Sequence, residues 1–456
     1  MTDRSRPRPG PPREYRFPHF TRHVLSNGVR VVAAPVTKLP LVTVMILVDA
    51  SATTETAGQY GVAALTARLL LEGAGDLSGA ALADRFERLG AIIEAHANWD
   101  VTAISLTVMR SRLREALALV RTLVREPTFP TRELERAKHE RLAELLQQLA
   151  EPRTLADDRF TDAVYRSDAR YARPEEGDPA SVRAITHDTV RAFHASTYAP
   201  AGTTLIFAGD ISEHDAFELA ANMFTDWSSP PAIRPANAPD AARTGRIVRV
   251  VAKADAPQSE VRVGHRGPPR TVSDYFEATV MNAVLGGLFS SRINMNLREV
   301  HGYTYGASSA FEWRRGAGPF VIHSAVKSEV TGDAIREILL EVDRIRDVAI
   351  GAEELSLATS YLDGVFPIRY ETTSAIAAAL ANMTVYGLSD DYYDTYRAHV
   401  RGVTAEGVLR AARTHLRPEH LQIVVVGDPA VVASPLETVT GLPVDITRPD
   451  EAALPL

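Results

Sequence analysis

The residue types that build catalytic and metal sites are thinly spread along this chain of 456 residues. There is no cysteine, which excludes disulfides, thiol nucleophiles and thiolate metal ligands. The 13 histidines occur singly; His19 and His23 bracket the end of a Pro-rich segment, and His415 and His420 straddle a proline. Zinc requires three or four convergent ligands, so these positions predict ordinary surface or capping histidines and no metal site. The glycine-containing segment 285–291 lacks the lysine and the spacing of a phosphate-binding loop.

One predicted helix contains a charge in an unusual setting. Residues 61–72 (GVAALTARLLLE) are apolar on nearly every side, which is typical of a buried helix. Arg68 is the exception, and a buried guanidinium needs either a carboxylate partner or a route to solvent. The sequence leaves both possibilities open.

Composition narrows the class of protein further. Hydrophobic residues make up 45% of the chain, and 57 acidic against 50 basic residues leave a net charge of −7. This balance argues against a broadly basic nucleic-acid-binding protein, and the lack of a run of about 18 apolar residues argues against a membrane span. Residues 1–18, rich in Pro and Arg, lack the apolar core of a signal peptide. We therefore expect a disordered tail and a cytoplasmic location.

The two halves of the chain repeat one another. Residues 183–210 align without a gap with residues 401–428, so that Pro200 matches Pro418 at an offset of 218. Each segment reads as a Thr-capped helix, a turn at proline, a β-rich strand and a Gly-Asp stop. This agreement indicates a tandem duplication.

The repeat and the positions of the Pro-rich segments predict the domain organisation. We expect a tail over 1–18, an N-terminal domain over 19–228, a Pro-rich linker over 229–245, a C-terminal domain over 246–435 and a C-terminal tail over 436–456. Hairpin-like strands and amphipathic helices are mixed within each half. The predicted fold is therefore α/β (α+β): two homologous domains, each a mostly antiparallel sheet layered by helices.

Several longer segments carry a resemblance to a known family. They are GVAALTARLLLEGA, PTFPTRELERAKHERLAELLQQLAEPR and FHASTYAPAGTTLIFAGD in the first half, and DYFEATVMNAVLGGLFSSRINMNLREVHGYTYG with YGLSDDYYDTYRAHVRGVTAEGVLRAARTHLRPEHLQIVVVGD in the second. Over residues 20–435 the chain resembles the pitrilysin/insulinase-type zinc peptidases, and most closely the subclass that includes the mitochondrial processing peptidase. The resemblance implies two homologous α/β domains per chain, and two chains that close into a chamber around a peptide.

The same resemblance points to a lost metal site. The family's inverted zinc motif, His-x-x-Glu-His, falls on the helix of residues 61–72. Its two ligands and its general base correspond here to Ala64, Ala67 and Arg68, within the run Ala-Leu-Thr-Ala-Arg. The family's third ligand, a downstream glutamate, corresponds to Glu144. We expect no zinc in this chain, and we expect Arg68 to form a salt bridge with Glu144, its guanidinium standing where the metal charge would be; the alternative is a solvent-exposed Glu144.

Other family positions are retained. Arg298 and Tyr305, in NLREVHGYTYG, match an Arg/Tyr pair of the C-terminal domain that reaches the zinc site across the chamber. A guanidinium and a phenol can hold substrate carbonyls and stabilise an oxyanion. The segment 94–107 matches the edge strand against which family members bind an extended substrate, with Ala97, Asn98 and Trp99 as candidate contacts.

These resemblances lead to a preferred function and an alternative. The preferred function is that of a zinc-less subunit of a processing-type metalloendopeptidase, inactive alone, which supplies Arg298 and Tyr305 to a zinc-bearing paralogous partner. A second copy of the chain is the other possible partner. The alternative is a structural or peptide-binding relative with no role in proteolysis.

Overall fold

The computed structural model describes residues 14–229 and 240–449. Fourteen strands are present in this part of the chain. In chain order they are β1 (Thr21–Val24), β2 (Arg30–Pro35), β3 (Leu41–Val48), β4 (Gly73–Ala74), β5 (Leu77–Ser78), β6 (Ile92–Ala97), β7 (Thr102–Met109), β8 (Thr203–Gly209), β9 (Ile247–Ala252), β10 (Gln258–Arg266), β11 (Thr304–Phe311), β12 (Pro319–Lys327), β13 (Gln422–Gly427) and β14 (Val444–Thr447).

Helices surround the strands in both halves. They are α1 (Val62–Leu69), α2 (Gly79–Arg88), α3 (Leu113–Arg125), α4 (Thr131–Ala150), α5 (Pro152–Val164), α6 (Pro179–Ala184), α7 (His187–Thr197), α8 (Glu213–Phe224), α9 (Tyr275–Asn282), α10 (Arg292–Asn294), α11 (Thr331–Asp347), α12 (Ala352–Arg369), α13 (Thr373–Tyr386), α14 (Tyr392–Gly402), α15 (Ala405–His415) and α16 (Pro429–Thr440). The turn after α9 and the turn after α10 (Met295–Val300) are π-helical.

Each half forms one six-stranded sheet. The first has the order β1-β2-β8-β3-β7-β6 and the second the order β11-β12-β10-β13-β9-β14. When one of the two orders is read backwards, the strands of the two sheets correspond one to one, from β2 with β9 through to β6 with β11, as expected from the duplication. Neighbouring strands are antiparallel except β2 with β8, β13 with β9 and β9 with β14. The expected pair of homologous, mostly antiparallel domains is confirmed.

Local sequence explains the strongest repeated elements. Thr186 accepts a hydrogen bond from the backbone N–H of Thr189 at the start of α7, and Thr404 does the same for Gly407 at the start of α15. These side chains satisfy N–H groups that a helix cannot bond internally. The strands β8 and β13 that follow are buried along their whole length, which accounts for their β-branched and apolar sequences.

The two halves exchange a helix. Helix α5 of the first half packs on the second sheet, where Leu155 and Phe160 contact the valines of β9, β12 and β13. Helix α13 of the second half packs on β3 and β8 of the first sheet, where Thr43 is hydrogen-bonded to Thr373. Each sheet is therefore completed by a helix from the other half, and the two cores form together.

The described parts of both predicted tails are packed against the second half. Residues 14–18, predicted as tail, place Phe17 against Tyr370 and Tyr393 of the second half. The predicted tail from residue 436 instead contains the end of α16, and then β14, which pairs with β9. The physical reason is burial, because the apolar residues of both segments complete a core. Residues 1–13, 230–239 and 450–456 lie outside the described part.

Two further expectations need correction. The single strand expected over 94–107 is a hairpin, since β6 and β7 are joined by a turn in which the Asn98 side chain accepts hydrogen bonds from Asp100 and Val101. Part of the expected linker is packed, because Ala242 bridges to Tyr165 and Asp240 binds Arg266. Within the described residues, no helix is both long and apolar enough to cross a membrane.

The helix exchange makes a testable statement about stability. Phe160 of α5 is 2% exposed, and the absence of a side chain at Gly264 of β10 makes room for its ring. Phe160→Ala should lower the free energy of unfolding by about 3–5 kcal/mol, because it leaves a cavity in the core that the side chains of the second sheet cannot fill. Urea denaturation followed by tryptophan fluorescence measures this loss. Phe289→Ala, at a position 70% exposed, is the control and should change stability by less than about 0.5 kcal/mol.

Candidate functional site

Helix α1 contains the positions that the family resemblance assigns to the zinc motif. Ala64 and Arg68 lie on its half-buried side, whereas Ala67 is fully buried. A cavity of about 250 Å³ opens beside them, bounded by α1, the strand β6, helix α4 and the loop before α6. Its polar lining residues are Arg68, His96, Arg141, Glu144 and Glu176.

A buried carboxylate holds the start of α1. Glu55 accepts hydrogen bonds from the backbone N–H groups of Gly61 at 2.9 Å and Ala63 at 3.0 Å. Its side chain is fully inaccessible to solvent and pairs with Arg170 at 2.7 Å. Burial raises the pKa of Glu55 to about 7, while Arg170 and the two N–H donors act in the opposite direction. A carboxylate at this end also suits the helix dipole.

Arg170 connects this carboxylate to the surrounding chain. Its guanidinium donates to the carbonyl oxygens of Ala52, Pro174 and Glu175, and it lies 4.9 Å from the ring centre of Trp99. All three guanidinium nitrogens are thereby used. The pair of Glu55 and Arg170 was not predicted from the sequence, because the two residues are 115 positions apart.

Two glycines allow the loop before α6 to press against α1. Gly61 and Gly177 both have positive φ, 94° and 85°. A Cβ on Gly61 would lie 2.4 Å from the carbonyl oxygen of Glu176, and one on Gly177 would lie 2.2 Å from that of Tyr60. Only glycine fits either position. The contact brings Glu176 to the rim of the cavity.

The prediction that Arg68 pairs with Glu144 was wrong by one helical turn of α4. Arg68 forms its salt bridge with Glu140, while Glu144 lies 3.4 Å from Arg141 on its own helix. Glu140 and Glu144 are four residues apart and so share a face of α4, with Glu140 nearer the end of α1. Arg136 joins the same network through Glu140 and Glu72. Glu144 is half-exposed in the cavity and pairs with Arg141 instead of Arg68. This agrees with the alternative expectation of a solvent-exposed Glu144.

The donor atoms at this place do not suit zinc. Ala64 and Ala67 offer no ligand atom, and the guanidinium of Arg68 adds a positive charge where a neutral imidazole would be needed. Glu144 alone remains of the expected set. Among residues 14–229 and 240–449 no three His, Asp or Glu side chains converge in a way that could hold a metal ion.

Strand β6 forms the open edge of the first sheet beside this cavity. Within the described residues its backbone makes hydrogen bonds to β7 alone. Of the three residues predicted to contact substrate, Ala97 ends this edge and lines the cavity. Asn98 and Trp99 lie in the turn instead: Asn98 closes the turn, and the ring of Trp99 packs between Arg170 and Arg314. The structure therefore brings only Ala97 to the edge.

A second, larger cavity adjoins α4 and α5. It measures about 710 Å³ and has an apolar wall of leucines together with Asp158. The carboxylate of Asp158 makes no hydrogen bond or salt bridge to a described residue, and burial raises its pKa to about 6. The leucines are Leu145, Leu149 and Leu155. The sequence analysis missed this site, since one aspartate in an amphipathic helix carries no signal of its own.

In the second half, Arg298 and Tyr305 share one cavity of about 620 Å³. Arg298 is on the π-helical turn after α10, with its guanidinium 4.7 Å from the ring centre of Phe289. Tyr305 is at the start of β11 and is 92% exposed, next to an irregularity in the pairing with β12. The only salt bridge of Arg298 with a described residue is a 3.5 Å contact to Glu299. Both side chains are thus available to a bound molecule.

Each half of this two-domain scaffold matches a model of one peptidase family. Residues 30–174 match the family model described as Insulinase (Peptidase family M16), and residues 184–362 match that described as Peptidase M16 inactive domain. The chain therefore belongs to the insulinase-type (M16) peptidase family, as the sequence predicted.

Relatives and solved structures agree with this assignment. An uncharacterized zinc protease of Mycobacterium tuberculosis is 26% identical over 89% of this chain and 92% of its own length. A probable mitochondrial-processing peptidase subunit beta of Arabidopsis thaliana is 21% identical over 88% of this chain and 77% of its own. The crystal structure of a peptidase M16 inactive domain from Pseudomonas fluorescens superimposes with a TM-score of 0.83 at 26% identity, covering 90% of this chain and 98% of that one.

The degenerate motif can be tested by rebuilding it. The variant Ala64→His/Ala67→Glu/Arg68→His should bind one zinc ion, because Glu144 already lines the same cavity. Isothermal titration calorimetry should show no tight zinc binding by the unchanged protein. Adding Glu144→Gln to the triple variant should weaken its zinc affinity by about tenfold or more. Stoichiometric zinc binding by the unchanged chain would contradict the assignment of a lost site.

Proposed function

We propose that this chain is the zinc-less subunit of a processing-type metalloendopeptidase and that a paralogous, zinc-bearing chain is its partner. The observation that carries the proposal is a contrast between the two halves. The motif positions of α1 hold no zinc ligand, whereas Arg298 and Tyr305 face one cavity with little local pairing. With few local partners, the guanidinium and the phenol remain available to a peptide, which supports the proposal.

The chemistry of this pair suits a role in trans. A guanidinium donates two parallel hydrogen bonds, and a phenol donates one, so together they hold a peptide carbonyl and stabilise the negative charge that develops on its oxygen. The metal-bound water and the general base would come from the partner. The similarity to the Arabidopsis processing peptidase subunit supports an assembly of this kind.

The test mixes this chain with a paralogous chain that carries an intact His-x-x-Glu-His motif. Peptide cleavage should require both chains, and Arg298→Ala or Tyr305→Phe should each lower kcat/KM by about 10²-fold, the usual cost of losing an oxyanion donor. Arg344→Ala, at an exposed arginine of α11, is the matched control and should leave the rate unchanged. Chelator-sensitive cleavage by this chain alone would overturn the proposal.

A second candidate, a peptide-binding protein without a proteolytic role, is favoured by the cavity of Asp158. The Asp158 carboxylate forms no salt bridge with a described residue, although Arg159 and Arg173 also line the cavity. Beside the apolar wall it suits a long basic side chain, whose stem packs on leucine while its charge meets the acid. The open edge of β6 would hold the peptide backbone by strand addition. Binding without any cleavage, in the presence of every candidate partner, would favour this function over the first.

Binding of a basic peptide should depend on pH in a defined direction. Because Asp158 titrates near pH 6, its charge is present at pH 7.5 and largely lost at pH 5, while arginine stays charged throughout. The affinity for an Arg-containing peptide should therefore fall about tenfold between these values. Fluorescence anisotropy measures it. Asp158→Asn should weaken binding at pH 7.5 and remove the pH dependence, whereas Asp76→Asn, in an exposed turn, should do neither.

A further inference from the structure

The cavity of Arg298 and Tyr305 continues into a second one. A cavity of about 500 Å³ adjoins it, and the two share Gln258, Arg298, Thr304, Tyr305 and Ala325 in their walls. Together they form one groove along the start of β11, which we call the β11 groove. The groove is longer than contact with Arg298 and Tyr305 alone requires. The residues in its other walls therefore indicate which class of ligand fits there.

Cations from three separate elements face the β11 groove. They are Arg153 of α5, which the first half contributes, Arg298, and Lys327 at the end of β12. Arg153 and Lys327 form no salt bridge with any described residue, and Arg298 has only its 3.5 Å contact with Glu299. Exposed, uncompensated cations that converge on one groove favour an anionic ligand.

Two carboxylates in the same wall share a single buried cation. Asp157 and Glu260 both bind Arg262, whose side chain is 2% exposed in the centre of the second sheet. The neighbouring His323 is kept neutral at physiological pH, because burial and the charge of Arg262 lower its pKa to about 4. Glu299 is the remaining acid and is half-exposed beside Arg298. Counting Arg153, Arg262, Arg298 and Lys327 against Asp157, Glu260 and Glu299, the groove keeps a net charge of +1. Arg153 and Lys327 are the cations of this set that form no salt bridge with a described residue.

The backbone of β11 is less available than that of β6. The N–H of Ala307 donates to the side chain of Asn294, and the carbonyl of Ser309 accepts from the side chain of Asn282. A peptide that added as a further strand would have to displace both side chains. Recognition at the β11 groove consequently depends on side chains, with Phe289, 70% exposed, as its apolar surface.

We propose that the β11 groove binds a carboxylate of an extended peptide, next to an apolar or aromatic residue of that peptide. Arg153 lines one of the two joined cavities and Lys327 the other, and both attract the carboxylate into the groove, while Phe289 and Tyr305 pack against the apolar neighbour. The carboxylate belongs either to an acidic side chain or to the free C-terminus. This proposal rests on the proposed function only in taking peptide as the ligand, and it adds the class of peptide.

The experiment uses the full chain without any partner. Three versions of a short fluorescein-labelled peptide ending in Phe-Glu are compared by anisotropy: the free acid, the C-terminal amide, and the free acid with Glu replaced by Gln. Loss of the deciding carboxylate should weaken binding about three- to tenfold, and the effect should shrink as salt is added. The version that loses affinity identifies the source of the carboxylate.

Variants locate the binding to the groove. Arg153→Gln and Lys327→Gln should each weaken binding of the free acid about three- to tenfold and leave unaffected the version that has lost the deciding carboxylate. Lys38→Gln, at an exposed turn, removes the same charge elsewhere and should have no effect. Equal binding of all three peptides, or equal effects of Lys38→Gln and Lys327→Gln, would overturn the proposal. Activation of a zinc-bearing partner is a separate measurement, so either proposal can fail alone.

Discussion

The buried pair of Glu55 and Arg170 is the interaction on which the first half depends. One carboxylate caps α1, and one guanidinium ties that carboxylate to the β6–β7 turn and to the loop before α6. Removing one partner from such a pair typically costs about 3–5 kcal/mol, because the other charge is left buried and unpaired. The position of α1, and with it that of Arg68, follows from this contact.

The exchange of helices is the second constraint, and it explains why the site of one half contains residues of the other. Helix α5 lies on the second sheet, so its Arg153 and Asp157 reach the cavity of Arg298 and Tyr305. Its other face turns Asp158 towards the cavity of the first half. A single helix thereby lines both cavities. Any motion that separated the two halves would change both at once.

Much of the fold could be predicted because the signals were local. The Thr caps and Gly-Asp stops repeated at an offset of 218 revealed the duplication. The hairpin of β6 and β7 was missed because Asn98 acts through its side chain, which bonds its own turn. The partner of Arg68 was misplaced because two glutamates on one face of α4 satisfy the same helical spacing, and only packing distinguishes Glu140 from Glu144.

The sequence was sufficient to predict the family and the duplicated architecture. The replacement of a zinc motif by Ala64, Ala67 and Arg68 is what the family resemblance implies. The tertiary structure alone decided which carboxylate meets Arg68, that β6 is open while β11 is partly capped, and that Arg153 joins Arg298 and Lys327 in one groove. These are contacts between residues far apart in sequence. Their outcome depends on how whole helices and sheets pack, which no local pattern specifies.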